Sequence, residues 1–290
     1  MPHAPHHRSP FRRLAIAAAV AFAIGVALLF AADIGYLVEF WVRAAPARVT
    51  AVGGDVFSYG TWQELRLSLV TATLTTLLAL IVAVPAGYAL SRYPIPGKVA
   101  IDTLVDAAIV LPPLIMGVSL LVLFSVVRRT AEAWGTPDAP QPLLQAFYDF
   151  FVYRRPGIVL AQFFVATALC TRALRAAFDA ADRRVEAVAL TLGCTPFGAF
   201  LHAALPQAGS GLLAGGLMAW SYSIGLFAPV AIFAGTVRGR TAVLPTRTFL
   251  EVSVGHLETA LALTLLMAVI AMTALIVIKL CLRRGEGAQP

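Results

Sequence analysis

Charge is scarce in this chain: only 13% of its 290 residues are Asp, Glu, Lys or Arg, where soluble domains carry about 25%. Hydrophobic residues make up 59%, and the mean hydropathy is +0.82. A soluble fold of this length has too much surface relative to its core to hide that apolar excess, so the chain reads as solvated mainly by lipid. Cysteine is also nearly absent. Cys170, Cys194 and Cys281 form no CxxC pair and lie in or beside apolar runs. That excludes a disulfide framework or a zinc site and leaves them as packing residues. The 22 Lys and Arg, for all the net charge of +7, are scattered between apolar runs and make no stripe that could follow a phosphate backbone. Nucleic acid is excluded as a partner.

Catalytic and energising motifs are missing too. The single Gly-Lys pair, Gly97-Lys98, is followed by Val99 and lacks the upstream glycine of a phosphate-cradling loop, so ATP must bind elsewhere. No H-E-x-x-H helix occurs, and no metal site is expected. His202 and His256 fall at the ends of apolar runs and His3, His6 and His7 in an N-terminal tail, which leaves a membrane-embedded serine hydrolase without its base. An ion-driven carrier keeps an unpaired acid deep in a helix. Asp102 and Asp106 are instead expected at the start of the third crossing and Glu258 at another helix start, where carboxylates suit the helix dipole.

What is present is a series of six uncharged runs, 14–32, 67–90, 107–127, 158–171, 203–237 and 259–278, against the roughly 20 residues that a membrane helix needs. The first exceeds the apolar core of a signal peptide and ends in Asp33 without a small-x-small cleavage site, so it reads as a retained anchor. The fourth reaches across only with Pro156, Gly157 and residues 172–178. The fifth is too long for one helix, and Gly225 with Pro229 is expected to break or kink it. With the N-terminus inside, little more than half of the 22 basic residues fall on the inner side, so the positive-inside rule barely orients the chain.

The least membrane-like stretch is RRVEAVALTLGCTPFGAFLHAALP, 183–206. Val185, Val188 and Leu192 recur at helical spacing, Gly193 is a helix stop, and Thr195 with Pro196 supplies a cap and a first helical position. Phe197, Phe200, Leu201 and Ala204 form a second stripe. Two short helices joined at Gly193 are expected. Periodicity alone leaves two readings open: an interfacial helix lying on headgroups, or a helix presented to the groove of a soluble partner.

In letters, this stretch resembles the EAA signature of bacterial ABC importer permeases. Glu186 precedes Gly193 by seven positions, Gly193 precedes Leu205 and Pro206 by twelve and thirteen, and Ala189, Thr191, Leu192 and Gly193 match the E-x-A-A-x-T-L-G form of the molybdate and sulfate branch. Val188 departs from a small position, and Ala187 stands where many relatives have another acid. VAVPAGYALSRYPIPGK (82–98), IVLPPLIMGVSLL (109–121), GIVLAQFFVATALCTRALRAAF (157–178), GRTAVLP (239–245) and VGHLETALALTLLM (254–267) are similar to further blocks of the same family.

The resemblance implies an all-α membrane protein with six transmembrane helices in the type I (MetI-like) importer arrangement, both termini cytoplasmic, in the bacterial inner membrane. It divides the chain into a tail (1–13), a first helix with an outer loop (14–63), a permease domain (64–284) with its coupling loop at 183–206, and a final tail (285–290). The implied function is ATP-driven import of a tetrahedral oxyanion such as molybdate, tungstate or sulfate by alternating access. Iron(III), thiamine or phosphonate are the substrate alternatives, and a membrane-embedded enzyme is the rival class. No cofactor is expected in this chain, ATP and Mg belonging to the partner. The implied partners are ABC ATPase subunits, an extracytoplasmic substrate-binding protein, a second permease subunit (identical or a paralogue) and the lipid bilayer. Glu186, Ala187, Ala189, Thr191, Leu192, Gly193, Leu205 and Pro206 are the expected ATPase-coupling residues. A dianion's path needs weak, neutral ligands, for which Thr71, Thr75, Ser119, Ser221 and Ser223 are the candidates. In the fifth run, where molybdate and sulfate permeases commonly carry charges, this chain reads AWSYSIGLFAPV, with Tyr222 and Leu226 at those places. Arg238, Arg240 and Arg247, on the expected outer loop, could draw an anion inward or meet an acidic binding protein.

Overall fold

The computed structural model describes residues 10–94, 96–134 and 142–286. The tails expected over 1–13 and 285–290 lie partly outside these residues, as do His3, His6, His7 and part of the outer segment 130–155. Among the described residues every regular element is helical.

Helix α1 (Pro10–Arg43) runs unbroken for 34 residues. Helix α2 (Pro46–Val56) opens on proline, which is favoured at a first helical position because its missing N–H would have no partner there. Ser58 then caps α3 (Tyr59–Arg92) by accepting the Thr61 amide at 3.3 Å. The apolar run 107–127 is not one helix. Helix α4 (Lys98–Val110) stops and α5 (Pro113–Trp134) starts anew, because a residue ahead of proline is pushed to extended geometry; Leu111, before Pro112, has ψ 135°. Asp102 and Asp106 therefore stand within α4 rather than at a helix start, which corrects the dipole reading.

Helix α6 (Pro142–Phe151) packs against α5 and the next long helix. Helix α7 (Arg155–Ala180) takes in Pro156, Gly157 and residues 172–178, as its short apolar run requires. Next come α8 (Arg183–Thr191), α9 (Pro196–Ala199), a π-helical turn over Phe200–Ala204 and α10 (Leu205–Gln207). The fifth run breaks where expected: α11 (Gly209–Gly225) has 17 residues, and α12 (Ala228–Phe233) resumes beyond Leu226 and Phe227. Helices α13 (Leu244–Val254) and α14 (Leu257–Glu286) complete the order. Among the described residues, five helical stretches are long and apolar enough to cross a bilayer: Ile16–Arg43, Pro46–Arg92, Pro113–Ala133, Arg155–Ala180 and Leu257–Ile276.

Lipid is as apolar as leucine, so these helices associate by close approach of small residues rather than by hydrophobic burial. Ala79, Ala83, Ala166, Cys170 and Ala219 are buried where α3, α7 and α11 meet. Gly215 brings α11 so near α7 that an added methyl would lie 3.3 Å from the Cys170 Cα. A second cluster, with Phe124, Ile158 and Phe233, locks α5, α7 and α12 together at the end where α6 lies. Helix α1 stands apart, leaning on α14.

Candidate functional site

The segment 183–206 folds as the two-helix elbow its letters specify. Asp182 caps α8 by accepting the Arg184 amide at 2.9 Å, and Thr195 caps α9 by accepting the Gly198 amide at 3.1 Å. Between them Gly193 turns the chain at φ +90°, a conformation that side chains with a Cβ adopt only at a cost.

The elbow has two unlike faces. Outward, Val185 and Val188 on α8 and Leu192 at its C-terminal cap are exposed, Leu192 by 81%, and Phe197 beyond the bend is exposed by 71%. The second stripe is split: Phe197 and Leu201 point out, while Phe200 and Ala204 pack into the core beside Phe178. Inward, the Glu186 carboxylate accepts hydrogen bonds from the Tyr88 hydroxyl and, at 3.1 Å, from Arg92 Nε. Both partners lie in the last turns of α3, four positions apart and so on one helix face. Sequence reasoning missed both, since they lie 98 and 94 positions from Glu186 and nothing local points to the pairing. Of the other expected coupling residues, Ala187, Thr191, Gly193 and Pro206 are exposed, and Ala189 and Leu205 are half-buried.

Around this anchor runs a chain of polar contacts. Arg92 Nη2 donates to the Ala181 carbonyl at 3.3 Å, and Arg183 Nη2 to the Ser91 carbonyl at 3.0 Å. The Ser91 hydroxyl donates to Asp179 at 2.6 Å. Arg175 pairs with Asp102 and lies 3.7 Å from Asp179, while Arg172 is 3.8 Å from Asp106. The two aspartates of α4 are thus ion-paired to α7.

The five expected path residues do not share a surface. Thr71 is buried and donates to the Leu67 carbonyl of its own helix at 2.8 Å. Thr75 donates to Gln162 Oε1 at 3.0 Å, and Gln162 Nε2 donates to the Ser223 carbonyl at 2.9 Å, all within the buried contact of α3, α7 and α11. Ser119 and Ser221 are exposed. Ser221 lines an open, mainly apolar cavity of about 580 Å³ with Pro112, Pro113, Tyr222, Leu226 and Phe227. The breaks in both helix pairs therefore face one space.

At the opposite end of α3 from the elbow, Arg247 is not the free cation expected of it. It is 3% exposed and sits 3.1 Å from Glu64 and 3.7 Å from Glu251. Arg238 and His256 meet the same Glu251 at 2.9 and 3.1 Å. Among the three arginines only Arg238 and Arg240 are exposed. Among the described residues no three His, Cys, Asp or Glu side chains converge as metal ligands.

Residues 76–284 match the family described as binding-protein-dependent transport system inner membrane component. The molybdate/tungstate transport system permease protein of Thermococcus kodakarensis is 37% identical over 172 residues, 59% of this chain and 60% of that protein. A probable molybdenum ABC transporter permease protein of Haloferax volcanii is 32% identical over 73% of this chain and 72% of its own length. The molybdenum transport system permease protein of Escherichia coli K12 is 30% identical over 64% and 77%. The chain thus spans 60% of the length of the first of these relatives. In architecture it is similar to a chain of a bacterial ABC transporter involved in import of the acidic polysaccharide alginate, with a TM-score of 0.64 at 15% identity over 89% of this chain and 95% of that one.

Proposed function

Because the chain belongs to the family of binding-protein-dependent transport system inner membrane components, we propose that it is the permease subunit of an ATP-driven importer. Its cargo in this reading is a tetrahedral oxyanion, molybdate or tungstate first, since one relative named for molybdate/tungstate transport and two named for molybdenum transport match 59%, 73% and 64% of the chain. The observation that carries the mechanism is the two-faced elbow: a capped bend pinned to α3 by Glu186, with an unpartnered apolar face of Val185, Val188 and Leu192 turned outward. Such a face suits the groove of a soluble partner. Separate ATPase subunits dock there and supply the work.

The proposed arrangement has six crossings, counting the broken α11 and α12 as one, with both termini in the cytoplasm of a bacterial inner membrane. A second permease copy or paralogue closes the path, and an extracytoplasmic binding protein delivers the anion. Ser221 and Ser119, the exposed hydroxyls of the candidate set, line that path. Thr71, Thr75 and Ser223 serve the helix contact in which they are buried. With Tyr222 and Leu226 at the break, the path carries no fixed charge, so the anion is held weakly and the binding protein does the selecting.

The test is uptake by vesicles holding this chain with its ATPase and binding protein. Accumulation of molybdate or tungstate that needs ATP and all three components is expected, with sulfate and phosphonate as competitors. Accumulation by this chain alone, or of neither metal oxyanion, overturns the reading.

A further inference from the structure

The elbow carries a carboxylate, and the question is which side of the elbow it serves. We infer that Glu186 is a positioning residue that binds the elbow to the transmembrane bundle and does not reach the ATPase. This rests on the importer reading above and adds the route by which the motion enters the helices.

Burial and connectivity carry the inference. The Glu186 side chain is 14% exposed and that of Arg92 is 7%. Turning Glu186 outward would strand a desolvated guanidinium, whose Nη1 is already buried without a partner among the described residues. An uncompensated buried charge is far more costly than a broken surface pair. The position beside it, Ala187, is the exposed one, and it offers no charge. Docking on the outward face is therefore apolar, and the ionic contact is internal.

Tyr88 strengthens the joint. Its hydroxyl donates to Glu186 while its ring packs edge-on against Phe178 of α7 at 5.4 Å and Phe200 of the π-helical turn at 4.7 Å. From here the polar chain continues through Arg183, Ser91, Asp179 and Arg175 to Asp102 on α4. Helix α4 ends at Val110, two residues before Pro112 on the edge of the cavity that Tyr222 and Ser221 line. A displacement of α8 thus acts on the inner ends of α3, α7 and α4 as one body. That is a mechanical link from the elbow to the break in the path, and a coupling measurement tests it.

The experiment uses the assembled transporter: chain, ATPase subunits and binding protein in vesicles, with molybdate uptake and ATP hydrolysis read together. Glu186→Gln is expected to keep the ATPase subunits co-purifying at the wild-type ratio while molybdate moved per ATP falls about tenfold, within the usual range of coupling between sites. Arg92→Glu is expected to behave alike, and the exchange Glu186→Arg with Arg92→Glu to recover most of the loss, which only a direct internal pair allows. Tyr88→Phe, which keeps the ring and both charges, gives a smaller fall and tests the joint should the charge exchange not assemble.

Loss of ATPase co-purification in Glu186→Gln overturns the inference, because the carboxylate would then face the partner. So does an unchanged ratio of molybdate to ATP in both Glu186→Gln and Tyr88→Phe. If the wild-type assembly moves no molybdate, the importer reading fails on its own terms, and the co-purification ratio still decides the role of Glu186.

Discussion

A buried arginine is tolerable only while its acceptors stay in place. Arg247 and Glu64 are 3% and 2% exposed and 3.1 Å apart, joining α13 to α3. Removing one member strands the other, at about 3–5 kcal/mol. Arg247→Met is therefore expected to lower the thermal unfolding midpoint in detergent markedly, and Glu64→Leu added to Arg247→Met to restore part of it. Equal or additive losses would show that the pair is not coupled. This contact was illegible in the sequence, since its partners are 183 positions apart and Arg247 sits in a stretch of polar letters that reads as solvated loop. Asp102 and Asp106 were misread for the same reason: a carboxylate near an apolar run looks like a helix start until the arginines of another helix are seen beside it.

Local chemistry was far more legible at the level of elements. Gly193, Thr195 and Pro196 specify the elbow by positive φ, cap and first-turn proline, and all three do what their letters allow. Gly225 and Pro229 mark the break between α11 and α12. Pro112 and Pro113 carry a signal just as strong, yet the uniform apolarity of 107–127 concealed it, because hydropathy measures solvent preference and not backbone continuity. The elbow's outward face is open to direct test by substitution. Burying a leucine contributes about 1.5–3 kcal/mol, so Leu192→Ala is expected to weaken ATPase binding about tenfold. Val188→Asp should abolish co-purification while leaving membrane insertion intact. Undiminished binding in both would assign that face to headgroups instead.

For the whole molecule, orientation is the property that charge cannot supply. Basic residues divide nearly evenly between the two sides, and α1, at 34 residues, is about 50 Å long against a hydrocarbon core of about 30 Å. It must tilt or project, so its ends do not report the side. The elbow provides a native reporter. Cys194 is exposed beside Gly193, whereas Cys170 is fully buried where α7 meets α11. In a chain carrying Cys281→Ser, a membrane-impermeant maleimide should therefore modify Cys194 alone. Labelling is expected in inside-out vesicles and not in right-side-out ones, and under the proposed docking bound ATPase subunits should slow it, since Cys194 adjoins the exposed apolar face of the elbow. Modification from the outer side would reverse the topology. It would remove the elbow from any cytoplasmic motor, whatever the family match, because a docking face on the wrong side of the bilayer can receive no work from ATP.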